Sequence, residues 1–404
     1  MDLLKLLLIF LIIIVALRLK KPLYLAMTAA VMGTWLLYRL PASEALRAII
    51  RGLLGWDTIQ VVLVLYLITF LQRMLEKRHC LSDAKSALDG LFNNRRVDAS
   101  VEPTLLGMLP AAGTVLICGD IVRESTDGYL DKSEQACVTS YYRHVSELFF
   151  PTYTSILIAI NLSGGRVSVG GFTLAMLPMM VALMVIGWAV YLRKVPKEAG
   201  FEATESKGWY WKHMGKSLWT IVFTVVLIVT LRVPVYLAVF ICIVLNALVG
   251  RFSWTEIKPF FRSALEAKFI VNTVIIMVFK EVLAATGVIS ALPGFFAGLP
   301  IPTFLVFALI FFFGSIVSGS TAIIVMCMPM AMATVSTGGL PLFVLLMRMT
   351  YAAMQLSPTH VCLAICAEDY GVTLGALIRK TIPLVRIFSL LAFGYYGFLT
   401  LLAF

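Results

Sequence analysis

The sequence predicts an all-α polytopic membrane protein. It reads as two inverted-topology repeats, with about ten transmembrane helices, two re-entrant hairpins and two broken helices. Three observations carry this. The 404 residues are 60% hydrophobic and only 14% charged, against roughly 45–50% apolar and 25% charged in soluble domains. Two apolar stretches are interrupted by small polar residues. Landmarks of the first half also recur in the second at a nearly constant offset.

This composition excludes a soluble enzyme, a disulfide-stapled secreted domain and a disordered chain. The net charge of +11 belongs to loops on one membrane face rather than to nucleic-acid binding. The seven cysteines include no C-x-x-C pair. They read as reduced packing residues, forming neither a metal site nor a disulfide framework.

A membrane-crossing helix needs about 20 apolar residues. Candidates are 3–19, 22–38, 56–76, 138–163 and 168–192, then 216–232, 234–250, 267–287, 340–370 and 376–403. The first is a retained helix and no signal peptide, because Arg18, Lys20 and Lys21 follow its apolar run and no small-residue cleavage site is visible. Segments 82–98 and 253–264 read as short amphipathic helices at the interface.

Stretches 101–122 and 301–335 break at Pro110-Ala111-Ala112-Gly113-Thr114 and at Ser318-Gly319-Ser320-Thr321. Non-helical backbone at membrane depth survives only where protein or a watery cavity satisfies it. Both stretches are therefore expected as re-entrant hairpins, the alternative being kinked ordinary helices. Charge favours the hairpins. With ten spans and two hairpins, 23 of the 33 basic residues fall in loops on one side and seven on the other. That asymmetry places both termini outside the cytoplasm and the chain in a cytoplasmic (inner) membrane.

Pro22-Leu23-Tyr24-Leu25-Ala26 recurs as Pro234-Val235-Tyr236-Leu237-Ala238. The two polar tips also correspond, as do Pro151-Thr152-Tyr153 and Pro358-Thr359-His360. The expected division is a first repeat over 1–192, with its tip at 110–114 and its broken helix at 150–152. A cytoplasmic linker covers 193–215. A second repeat covers 216–404, with its tip at 318–321 and its break at 357–359. Inverted repeats with interrupted helices are the architecture of secondary transporters, whose sites lie near the bilayer midplane.

The motifs L-P-x-x-G (109–113), Y-x-R-H-x-x-E-x-x-x-P (141–151), L-S-P-T-H-x-C-L (356–363) and A-E-D-Y-G (367–371) resemble an uncharacterised integral-membrane family, domain of unknown function 401. That family resembles the ion-transporter superfamily. The resemblance implies two hairpin tips and two broken helices around one substrate site, usually in a homodimer working by an elevator motion. It names no substrate. Carboxylate carriers of the superfamily read Ser-Asn-Thr at their tips, where this chain reads Ala-Gly-Thr and Gly-Ser-Thr.

Charges inside a span mark pathways by default. Arg143, His144 and Glu147 can share one helix face, since i,i+3 and i,i+4 positions are neighbours. Arg143 or His144 could meet an anionic substrate while Glu147 takes a coupling proton. Alternatively, Arg143 and Glu147 simply neutralise each other. Arg348 is the other candidate anion contact, or a snorkelling side chain, with Gln355 two turns beyond it. His360 lies at the second break. Asp120 is expected to cap or pair locally, and Glu368 and Asp369 to lie on a solvated face, the alternative being that they coordinate a cation.

The candidate substrate-binding residues are Gly113, Thr114, Arg143, His144, Pro151, Thr152, Ser318, Gly319, Ser320, Thr321, Arg348, Pro358, Thr359 and His360. Glu147, Thr114 and Ser320 are the candidates for a coupling ion, either Na+ or H+. Half-helices starting near Pro151 and Pro358 would aim unpaired N–H groups inward, and helix N-termini favour anions. The expected function is secondary active transport of a small organic anion, with the lipid bilayer as surroundings and no further cofactor. An intramembrane lipid- or peptide-modifying enzyme and a cation/proton antiporter are the alternatives. The enzyme has no H-E-x-x-H or G-x-S-x-G motif to support it.

Overall fold

The computed structural model describes residues 2–19, 21–108, 114–151, 153–198, 205–290, 300–335, 338–358 and 360–402. Among these the secondary structure is helical, apart from one antiparallel bridge between Asn94 and Glu198. The chain is an all-α polytopic membrane protein. The runs Ala42–Lys77, Lys132–Leu162, Val169–Val190, Lys207–Val229 and Leu374–Leu402 are long and apolar enough to cross a membrane.

The first elements are α1 (Asp2–Arg18), α2 (Leu23–Tyr38), α3 (Ala42–Leu54) and α4 (Trp56–Lys77). Helix α3 is an addition to the expected list, which left 42–54 as a loop. Its one buried stripe is Ala45, Ala48 and Gly52, while Arg47 and Arg51 face outward. The stripe packs on α16 (Ala267–Ala285). At Gly52 a Cβ would stand 2.4 Å from the Val278 Cα, so only glycine lets the two backbones meet this closely.

The segments expected as interfacial helices are helical, as α5 (Cys80–Phe92), α6 (Arg95–Asp98) and α15 (Trp254–Ser263), the last of which buries no residue. Arg78, just past α4, binds Glu256 of α15 at 2.9 Å and covers the Phe252 ring at 4.0 Å. The hydrogen-bonded guanidinium, helped by the Ser253 N–H, holds the Glu256 carboxyl down to about 2. Arg96 donates to the Val195 carbonyl at 2.7 Å and so fastens α6 to the segment after α12 (Val169–Val190).

The first interrupted stretch gives α7 (Val101–Leu106) and α8 (Thr114–Thr126), and its tip up to Gly113 lies outside the described residues. The second gives α17 (Thr303–Ser318) and α18 (Ser320–Thr334), joined at Gly319 with φ +86° and ψ 150°. That backbone conformation is essentially reserved to glycine.

The first broken helix runs α9 (Lys132–Arg143), α10 (Val145–Phe149), an extended Phe150, Pro151, and α11 (Thr154–Leu162). It starts six residues before the expected 138. Asp131 and Glu134 form a reciprocal capping box that fixes the start at Lys132. The second broken helix runs α19 (Gly339–Met354), a turn through Pro358, and α20 (Val361–Asp369). Helices α13 (Lys207–Val229), α14 (Val235–Val249) and α21 (Leu374–Leu402) complete the fold. Of these, α13 begins inside the stretch expected as linker, because Ser206 caps it by accepting from the Trp209 N–H.

Two contacts position the site. Helix α8 packs on α20, and α11 packs on α18, so each hairpin arm lies against the far half of the other broken helix. The Tyr370 hydroxyl donates to the Gly119 carbonyl at 2.7 Å and lies 2.8 Å from the Thr139 hydroxyl. Arg123 binds both Asp120 and Asp369.

Candidate functional site

A cavity of about 770 Å³ lies where these interruptions meet. Its wall includes Thr154 and Ser155, Ser320 and Thr321, and Val361 and Cys362. These pairs open α11, α18 and α20, so three helix N-termini end on one space. The first N–H groups of a helix have no intrahelical partner, and their partial positive charge favours an anion. Arg143, Glu147, Tyr153 and His360 complete this end of the cavity. From α4 and the α15–α16 corner come Thr69, Gln72, Arg73 and Glu266, the last two paired at 3.2 Å and each about a third exposed.

Arg143 is 2% exposed and forms an ion pair with Glu147, one helical turn on. Its Nε also reaches the Thr114 hydroxyl at 3.4 Å, at the start of α8. The mutual neutralisation foreseen from their spacing is therefore present, and it occurs on the cavity wall. Gly107 lets the first hairpin approach the end of α9 closely, since a Cβ there would fall 2.0 Å from the Arg143 carbonyl oxygen. The Gly107 carbonyl accepts from the Tyr153 hydroxyl, tying the first hairpin to the first break. On the other side the Ser357 hydroxyl donates to the Ile316 carbonyl at 3.0 Å and ties the second break to α17.

His144 is fully buried behind this wall. Its Nδ1 lies 2.5 Å from the Ser140 carbonyl oxygen, which can only accept, so Nδ1 carries the hydrogen. Nε2 is then a bare lone pair. It faces His360 Nε2 at 2.9 Å, and His360 is the donor between the two neutral rings. One imidazole comes from each broken helix. Cys362 joins them, with one ligand atom from each of the three residues lying within 4.8 Å of the others.

The structure thus brings Thr114, Arg143, His144, Glu147, Ser320, Thr321 and His360 to or just behind one cavity. Pro151 is buried at the first break and Pro358 is exposed at the second. Ser318 and Gly319 form the second tip, and the Ser318 Oγ is enclosed without a hydrogen-bond partner among the described residues. Gly113, Thr152 and Thr359 lie outside the described residues.

Arg348 does not line the cavity. It is fully buried, its Nε donates to the Val344 carbonyl at 3.0 Å, and its guanidinium covers the Tyr395 ring at 4.9 Å. It therefore does not snorkel either. Glu368 and Asp369 are both exposed, as expected, and Asp369 also pairs there with Arg123.

Sequence reasoning missed Thr69, Gln72 and Cys362. The first two are polar residues three apart inside an apolar span, a visible signal of an inward face. Cys362 follows His360 by two residues, and its grouping with both histidines departs from the reading of every cysteine as packing alone.

A family model described as "Protein of unknown function (DUF401)" matches residues 3–399. The chain belongs to that family. No curated protein matches it. Among solved structures, this DUF401 chain is similar to the YdaH transporter of Alcanivorax borkumensis, whose crystal structure is described as having an unusual topology. The two share 13% sequence identity at a TM-score of 0.48, over 90% of this chain and 89% of that one.

Proposed function

We propose that this DUF401 protein is a secondary active transporter of a small organic anion, coupled to H+ or Na+. The observation that carries the reading is the meeting of three helix N-termini on one cavity beside Arg143. Fixed partial charges of this kind bind carboxylates without bringing a full charge into the bilayer.

The coupling follows from the ion pair. Arg143 stays charged, and while Glu147 is ionised the pair has no net charge to offer. A proton or a sodium ion at Glu147 neutralises the carboxylate and releases the guanidinium to the cargo. Anion and cation then bind together or not at all. Thr114 and Ser320 supply further oxygens for a sodium ion.

Element order supports two inverted repeats. The series α2–α4, hairpin, broken helix and α12 is followed by α14–α16, hairpin, broken helix and α21. In the elevator reading, hairpins and broken helices move as one body against α1–α5 and α13–α16, in a homodimer. The excess of basic loops on one side supports a cytoplasmic membrane with both termini outside. By that assignment Arg73 and Glu266 mark the cytoplasmic end of the cavity.

The test is uptake of labelled two- to six-carbon organic anions into proteoliposomes, under an imposed sodium or proton gradient. Accumulation above the bath concentration is expected. Turnover of lipid or peptide by the purified protein, with no solute moved, would replace transport by the enzyme reading.

A further inference from the structure

We propose that His144, His360 and Cys362 form a transition-metal site of the zinc class, with its fourth coordination position open to the cavity. The donor set is two imidazoles and a thiol, a borderline-soft combination suited to Zn2+, Co2+ or Cu+ and unsuited to Mg2+ or Ca2+.

Three features argue for a built site. His144 Nδ1–H is anchored on the Ser140 carbonyl, the outer-shell bond that metal-ligating histidines almost always make, and it aims Nε2 at the cluster. The two Nε2 atoms are already 2.9 Å apart. A tetrahedral ion with bonds near 2.05 Å needs them about 3.3 Å apart, an opening of roughly 0.4 Å. Finally, His360 and Cys362 line the cavity while His144 lies behind them, so three ligands come from the protein and the remaining direction is the open space. Three protein ligands with one open position are the pattern of zinc sites that bind a further molecule.

Metal loading exchanges bonds and moves two hydrogens. Three metal–ligand bonds form and the His144–His360 hydrogen bond breaks. The His360 hydrogen passes from Nε2 to Nδ1, and the Cys362 thiol loses its proton to solvent. A divalent ion with one thiolate leaves a net charge of +1 beside the neutral Arg143–Glu147 pair. The open position then suits a carboxylate oxygen. This last step rests on the transport reading above, in which the cargo is an organic anion; the metal site itself does not.

The experiment titrates the full-length protein in detergent with Co2+, then displaces it with Zn2+. A thiolate-to-cobalt charge-transfer band is expected to saturate at about one equivalent and to bleach with Zn2+. Cys362→Ser is expected to abolish the band, and His360→Asn to weaken binding roughly tenfold or more. Thermal melts of both variants confirm that they are folded. No band in the parent protein, or a band that survives Cys362→Ser, overturns the site. Proteoliposomes separate the two readings. A cobalt band without uptake of any anion rejects transport and keeps the site, whereas uptake without a band keeps transport and rejects the site.

Discussion

Glu147 and Arg143 are unequal partners. A carboxylate can be quenched by a proton, whereas a guanidinium cannot, so losing Glu147 strands a buried charge and losing Arg143 does not. Glu147→Ala is therefore expected to cost about 3–5 kcal/mol, and Arg143→Gln clearly less, in denaturant unfolding of the detergent-solubilised protein. Glu147→Gln keeps a hydrogen-bonding amide on Arg143 and separates folding from coupling. It should retain folded protein and downhill exchange of the anion but lose accumulation driven by a gradient. Undiminished accumulation would remove Glu147 from the coupling step. Gly107→Ala probes the same spot sterically. Its methyl would collide with the Arg143 carbonyl, so a loss of about 1–3 kcal/mol is expected. Much of this was legible beforehand, because charges in an apolar run stand out. The burial of Arg348 against Tyr395 was not, since nothing in a single helix says which neighbour it faces.

At the scale of elements, a proline or a small polar cluster inside an apolar run announced both breaks and the second tip. Those signals are local backbone chemistry. Helix α3 carried no such signal, because its thirteen residues hold Glu44, Arg47 and Arg51 and only a narrow stripe of small residues. That stripe has meaning only against α16, more than two hundred residues later, and no local pattern names that partner. Gly52→Leu should push α3 off α16. The expected readouts are a loss of about 1–3 kcal/mol and faster proteolysis near Gly55, with Gly52→Ala intermediate. A Gly52→Leu protein with unchanged melting would mean that the close approach is not needed. Start positions followed the caps rather than the hydropathy, as Asp131 and Glu134 show for α9.

For the molecule as a whole, the end of α4 is clamped to α15 through Arg78 and Glu256. Glu256 is held near 2 in the fold, against 4.5 ordinarily. A depressed carboxyl stabilises the folded state above its unfolded value, and that contribution fades as pH falls toward the folded one. Glu256→Gln should therefore lower the melting temperature at pH 7, and the gap to the parent protein should narrow between pH 4.5 and about 2. A gap independent of pH would assign the effect to packing. The all-α, many-helix character was readable because the apolar fraction is a global sum, which survives errors in any one segment.

The α8–α20 contact also has a consequence for how the protein is made. Residues 114–126 leave the ribosome some 235 residues ahead of 361–369, a delay of roughly 12–50 s at 5–20 residues per second. Throughout that interval Arg123 has no Asp369 and the Gly119 carbonyl no Tyr370 hydroxyl. The α7–α8 pair thus stays incompletely packed until residues 361–371 have been made. Nascent chains stopped before Val361 should be targets for membrane proteases and insertion chaperones, while chains reaching Gly371 should escape them.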